Sequence, residues 1–180
     1  MTRPAPRDDI EDPAEGASGP AALAPSVAAG PVHAIGEIGL QQFAPYLMNR
    51  IMGRYNATLR DTLKQHGVTT AQMRALAVLA ALNGPTLNEL AVYSVFEQST
   101  MSRTLDTMAA AGWVRREASD SDNRVRRIYL TDAGRALFET LWPTMWEAFS
   151  AMFRGVGDSE YATFLSVLHR MLRNVRHHEF

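Results

Sequence analysis

Between positions 98 and 103 the chain reads Gln-Ser-Thr-Met-Ser-Arg, so Gln98, Ser99, Thr100 and Ser102 end in an amide or a hydroxyl and Arg103 in a guanidinium. Groups of this kind bind by hydrogen bonds and charge, and they suit phosphate oxygens and the edges of bases. Shortly after, residues 113 to 130 carry Arg115, Arg116, Arg124, Arg126 and Arg127 against Glu117, Asp120 and Asp122. This is a local basic patch. Lys64 is the only lysine, so the planar guanidinium does nearly all the cationic work. The residues that bond-breaking chemistry requires are not arranged for it: there is no nucleophile elbow, P-loop, dinucleotide fingerprint or histidine-carboxylate metal motif. With no cysteine, disulfides, cysteine-rich zinc sites and thiol redox sensing are excluded. His33, His169, His177 and His178 show no metal-ligand spacing apart from the adjacent terminal pair, so neither metal nor cofactor is expected, and the chain is expected not to be an enzyme.

The elements that must position these groups follow from periodicity and punctuation. Leu47, Ile51, Tyr55, Leu59 and Leu63 stand four apart on one face of a long first helix reaching from about 36 to His66. Pro45 must lie in its first turn or kink it, and Gly67 closes it. Thr69 with Gln72 and Thr86 with Glu89 are capping-box pairs. They open a second helix with Met73, Leu76, Ala77 and Ala80 inward, stopped by Gly84-Pro85, and a third burying Leu87, Leu90 and Ala91 and ending near Tyr93. After a turn through Ser94, Val95 and Phe96, a fourth helix from Glu97 to Ala111 turns Met101, Leu105 and Met108 inward and leaves Gln98, Ser99, Ser102, Arg103 and Asp106 outside. Two short helices joined by a tight turn, the second small and polar on its outer face, make a helix-turn-helix whose second helix fits a major groove.

Gly112 ends that helix, and the runs 113–118 and 125–130 flank a turn-rich insert, which predicts a β-hairpin, the wing. Thr131 and Asp132 suit the start of a fifth helix to about Phe153, with Leu137, Phe138, Leu141, Met145, Phe149 and Met152 on its apolar face and Pro143 as a kink. Asp158 or Ser159 is expected to cap a last helix whose apolar face, Tyr161 through Val175, is too wide for so small a core and is expected to meet a second subunit.

The net charge of −1 and pI near 6.5 run against the usual basic footprint of a nucleic-acid binder. Part of the answer is local. Residues 1 to 34 hold Arg3 and Arg7 against Asp8, Asp9, Glu11, Asp12 and Glu15, a surplus of three negative charges that leaves the remainder with two positive ones. The same stretch is rich in proline, alanine and glycine and is expected to be a disordered tail, 1–35. The rest, 36–180, is expected to be one domain, with dimerisation helices at 36–67 and 132–178 and a winged helix-turn-helix at 69–131. No apolar stretch approaches the ~18 residues of a membrane span, and a soluble, cytoplasmic protein is expected.

Over residues 38 to 176 the order of parts and several spaced residues resemble the MarR family. The most specific run is Ser99, Arg103, Gly112-Trp113-Val114, then Asp122-x-Arg124 and Leu130-Thr131-x-x-Gly134. The resemblance implies a mainly α fold with a small β-hairpin wing, a winged helix-turn-helix joined to a helical dimerisation region, α+β and MarR-like. It implies a homodimer that binds a near-palindromic double-stranded DNA operator, acting as a repressor released by a small, aromatic or phenolic effector. Gln98, Ser99, Thr100, Ser102 and Arg103 would meet phosphates and bases. Arg124 would enter the minor groove at the wing tip, held by Asp122. Arg126 and Arg127 would track the backbone or pair with Glu117. Asn123 stands where the family often has a basic residue. Arg74 and His66 are candidates for an effector cleft, with a solvated or ion-paired surface role as the competing account of each.

Two rival classes remain at this level. A hydrolase or transferase lacks its motifs and the room for a catalytic domain. A winged-helix protein-interaction module or antirepressor without DNA binding would be expected to show aromatic or aliphatic anchors where this chain has small polar residues and arginines.

Overall fold

A computed structural model describes residues 34–118 and 125–175. In chain order these form α1 (Ile35–Ile38), a 3-10 turn (Leu40–Gln42), α2 (Ala44–Gln65), α3 (Thr70–Ala81), α4 (Leu87–Ser94), α5 (Gln98–Ala110), β1 (Val114–Ala118), β2 (Arg126–Leu130), α6 (Asp132–Met152) and α7 (Asp158–Val175). The chain divides into two units between Leu47 and Met48. The expected single helix from about 36 to His66 is therefore three pieces. Gly39 at φ 75° breaks the chain after α1, and Pro45 sits in the first turn of α2, where its missing N–H costs nothing.

In the second unit, local chemistry sets where helices begin and end. The Thr69 hydroxyl accepts from the Gln72 N–H at 3.2 Å while the Gln72 carboxamide oxygen accepts from the Thr69 N–H at 2.8 Å. Thr86 and Glu89 repeat the exchange at 3.3 and 2.7 Å. The bond from the Thr86 backbone N–H holds the Glu89 carboxyl below the usual range, burial opposing it. Both expected capping boxes are thus present. At the other ends, Gly67 and Gly112 close α2 and α5 in the left-handed region, their backbone N–H groups and those of the residues after them bonding back into the last turn. The same closure ends α4, but with Val95 at φ 58° in the position glycine would favour. A β-branched residue in this region carries strain of about 1–2 kcal/mol.

The core gathers around α3. Ala75, Leu76 and Leu79, buried with Met73, meet Leu90 and Ala91 of α4, Met101, Leu105 and Met108 of α5, Ile128 and Leu130 of β2, and Leu141, Met145 and Ala148 of α6. Ala77 and Ala80 face inward as expected, half-buried and packed against this core, while Ala75 and Leu79 are the more deeply buried positions of α3. α4 ends one residue later than expected, at Ser94. β1 and β2 pair antiparallel with Val114 opposite Leu130 and Ala118 opposite Arg126, and Thr86 adds an isolated bridge to Arg127. At α7 the expected cap shifts: Asp158 is the first helical residue, and Gly157 precedes it, its N–H donating to the Glu160 carboxylate at 2.9 Å and its carbonyl accepting from Tyr161.

The junction of wing and α6 is the tightest place. Thr131 caps α6 by accepting from the Gly134 N–H at 3.1 Å, donates its hydroxyl to the Gly112 carbonyl at 2.6 Å, and gives its N–H to the Trp113 carbonyl at 3.0 Å. Gly134 lies so close that a Cβ there would run into the Trp113 carbonyl. Gly134→Ala is accordingly expected to lose about 3 kcal/mol of stability, the upper end of overpacking costs, because the obstacle is backbone. Urea unfolding measures this, and a loss under 1 kcal/mol would mean that α6 moves away from Trp113 at little cost.

Candidate nucleic-acid interface

Burial of Met101, Leu105 and Met108 leaves one side of α5 turned outward, and on it lie Gln98, Ser99, Thr100 and Arg103 exposed and Ser102 half-buried. Thr100 accepts at its carbonyl from the Thr104 hydroxyl at 2.9 Å. Threonine hydroxyls cap α3, α4 and α6, but Glu97 at the start of α5 makes no side-chain cap. The first-turn amides of α5 therefore receive nothing from that side chain, and they remain donors for an external oxygen.

The arginines divide by task. Arg115 donates to Glu117 at 2.6 Å and to the Leu130 carbonyl at 2.8 Å, its guanidinium lying 5.1 Å from the Tyr129 ring centroid. Arg116 reaches Asp106 of α5 at 2.7 Å, bracing β1 against the helix. Arg127 donates to the Gly84 carbonyl at 2.7 Å, and the Ile128 N–H donates to Pro85 at 3.0 Å. The expected pairing of Arg126 or Arg127 with Glu117 is therefore corrected. Glu117 pairs with Arg115 on its own strand, and Arg127 pins the loop that precedes α4. Arg103 and Arg126 are exposed and make no ion pair among the described residues. Asp122 and Arg124, at the expected wing tip, lie outside the described residues.

Arg74 and His66 are not brought together. Arg74 is half-buried, its Nη1 3.4 Å from the Ser94 carbonyl and its guanidinium 5.4 Å from the Phe96 ring centroid. These contacts hold the turn between α4 and α5. His66 is exposed at the end of α2. Neither lines the groove of about 500 Å³ between the end of α2 and the start of α3, whose walls include Asn56, Arg60, Leu63 and Lys64. Sequence reasoning did not single out the Arg116–Asp106 brace or the bond from Gln72 Nε2 to Thr107 Oγ1 at 3.2 Å. The alternation along β1 could have placed Arg116 on the α5 side. The Gln72 bond spans 35 residues and leaves no periodic trace.

Comparison with known proteins places the arrangement. A model of the MarR family matches residues 66–124. A crystal structure described as a transcriptional regulator of the MarR family, from Silicibacter pomeroyi, has a TM-score of 0.78 and 50% identity, covering 82% of this chain and 100% of that one. A second MarR family transcriptional regulator from the same organism gives a TM-score of 0.72 at 29% identity, over 83% of this chain and 98% of the other. The transcriptional repressor IacR of Pseudomonas putida is 25% identical over 141 residues, 78% of this chain and 82% of that protein.

The division of arginines is testable by stability alone. Arg127→Ala is expected to cost about 1.5–3 kcal/mol, because it removes a charged donor from the Gly84 carbonyl, whereas Arg126→Ala is expected to stay within about 0.5 kcal/mol of the parent. Thermal unfolding of the two variants measures the contrast, and equal losses would contradict the separate tasks.

Proposed function

The chain belongs to the MarR family of transcriptional regulators, and from that premise we propose that it is a homodimeric repressor that binds a near-palindromic operator and releases it when a small effector binds. The observation that carries the DNA reading is the outer side of α5: hydroxyls and an amide at the mouth of a helix with no side-chain cap, and one turn on a guanidinium with no ion pair among the described residues, beside a braced wing. Gln98 and Arg103 are proposed to read bases, and Ser99, Thr100 and Ser102 to hold phosphates. Arg126 is proposed to track the backbone from the wing, and Arg124, with Asp122 beside it, to enter the minor groove. The family is one of regulators and not of enzymes.

Dimerisation is supported by what the second unit leaves uncovered. α7 has no buried residue, and Phe164, Val167, Met171, Leu172 and Val175 are exposed along it. On α6 a run of rings from Phe138 through Trp142, Trp146 and Phe149 to Phe153, at centroid spacings of 5.2–5.9 Å, leaves both tryptophans about half exposed. Apolar area of this extent is normally covered. We assign residues 36–67 and 132–178 to the dimer contact, 69–131 to DNA and 1–35 to a tail. The effector is proposed to be aromatic or phenolic, with His66 and Arg74 near its cleft. The repressor sense is supported by the name of IacR. Among the described residues no helix is long and apolar enough to cross a membrane, and we place the protein in the cytoplasm.

A mobility-shift assay on the DNA flanking its own gene, followed by footprinting, tests the reading. Protection of two half-sites with centres one helical turn, about 10 bp, apart is expected. Protection of a single asymmetric half-site would contradict a two-fold dimer, and no preference for this DNA over unrelated DNA would contradict operator recognition. Leu172→Glu isolates the dimer claim, because Leu172 is 59% exposed in the single chain and the change leaves its core intact. A charge buried unpaired in the dimer contact costs about 3–5 kcal/mol. Sedimentation of this variant should show folded monomer, and an unchanged dimer would place the contact elsewhere.

A further inference from the structure

We propose that the cleft between the start of α3 and the outer side of α5 seats a phosphate of the DNA backbone, with Gln72 as a donor to it; the proposal rests on the DNA-binding reading above and extends the footprint to α3. The cleft measures about 320 Å³ and is lined by Thr69, Gln72, Thr100, Arg103, Thr104 and Thr107, with neither a carboxylate nor a large apolar side chain among them.

Its hydrogen bonds leave a surplus of donors. The Thr107 hydroxyl donates to the Thr104 carbonyl at 2.7 Å, and the Thr104 hydroxyl to the Thr100 carbonyl at 2.9 Å, so both protons are committed. The Gln72 carboxamide oxygen is taken by the Thr69 N–H at 2.8 Å, and one amide hydrogen by Thr107 at 3.2 Å. What remains is the second amide hydrogen of Gln72 and the guanidinium of Arg103, which has no ion pair among the described residues, together with the hydroxyls of Thr69, which accepts from the Gln72 N–H, and Thr100. Asp106, the one acid on α5, is engaged by Arg116. A guanidinium with amide and hydroxyl donors and no opposing carboxylate selects an anionic oxygen.

A backbone phosphate is the fitting source. A single exposed cation holds a free anion in water only weakly. A phosphate already brought there by the contacts of α5 and the wing needs no more than that. The cleft also opens beside Arg103, on the side of α5 assigned to DNA.

The test is Gln72→Glu in the full chain, read by unfolding and by salt titration of binding to operator and to unrelated DNA. Glutamate keeps the acceptor that the capping box needs and suits the first turn of a helix, so the melting temperature should hold or rise. The variant loses the donor and sets a negative charge against the phosphate. Affinity for both DNAs should fall about ten-fold at ~0.1 M salt, with the salt slope reduced by about one, since a backbone contact carries no sequence information. A neutral methylphosphonate at one position in each half-site should weaken the parent and restore part of the variant's loss, because it removes the charge that the glutamate opposes. Several outcomes would overturn the proposal: a variant that binds like the parent at every salt concentration, one that weakens on operator alone, or a parent that binds inorganic phosphate by itself through Gln72. Thr107→Val, which leaves the capping box untouched, guards against a folding artefact, and unchanged DNA affinity in both variants would likewise overturn it. A parent with no preference for its own flanking DNA would sink the operator reading instead, which separates the two failures.

Discussion

The approach of α6 to the root of the wing is the constraint on which the rest of the structure depends. Thr131 makes three bonds at one point, to Gly112, Trp113 and Gly134, and the missing side chain at Gly134 lets the backbones close. Gly112 is also the residue at which α5 ends. One knot of four residues therefore fixes the end of the helix with the polar outer side, the base of the hairpin and the start of the long helix that carries the exposed tryptophans. Any displacement of α6 must reach α5 and β1 through this contact, because a close-packed backbone contact transmits strain instead of absorbing it.

The sequence was most legible where a local rule has a single physical reason. Thr69 with Gln72 and Thr86 with Glu89 predict helix starts because a hydroxyl three residues from an amide or acid satisfies two orphan N–H groups at once, and both boxes are present. Thr131 reads as a helix cap for the same reason, whereas Gly134 enters only through the resemblance. Met101, Leu105 and Met108 set the orientation of α5, and with it which polar residues face outward. The small polar outer side and the helix-turn-helix pattern suggest DNA, and the resemblance adds the dimer, the operator and the effector.

What stayed hidden was non-local or offset by packing elsewhere. Val95 occupies a left-handed position that sequence rules reserve for glycine, so α4 ends where no punctuation marks it. The break after α1 came from Gly39, whose cost inside a helix is modest and does not by itself predict a stop. Arg74 looks from its helix position like a surface cation. Only the fold brings the Ser94 carbonyl and the Phe96 ring to it, from 20 residues away. Arg127 reads as one more member of a basic strand, yet its partner is a carbonyl 43 residues earlier.

This last point also answers the charge objection in a different way from the acidic tail. Counting arginines in the hairpin overstates the charge offered to DNA, because Arg115, Arg116 and Arg127 are spent on Glu117, Asp106 and the Gly84 carbonyl. Arg103 and Arg126 remain unpaired among the described residues. The paired arginines still matter, because each ties the hairpin to another part of the fold or, for Arg115, holds a guanidinium at three points, and rigidity lowers the ordering cost that binding must meet. A lysine in the place of Arg115 could not bond to Glu117 and the Leu130 carbonyl while lying over the Tyr129 ring. The near absence of lysine is thus a structural feature as much as an electrostatic one. A chain of net charge −1 can still present a local basic surface, because several of its hairpin cations fix geometry and Arg103 and Arg126, unpaired among the described residues, stand exposed on that geometry.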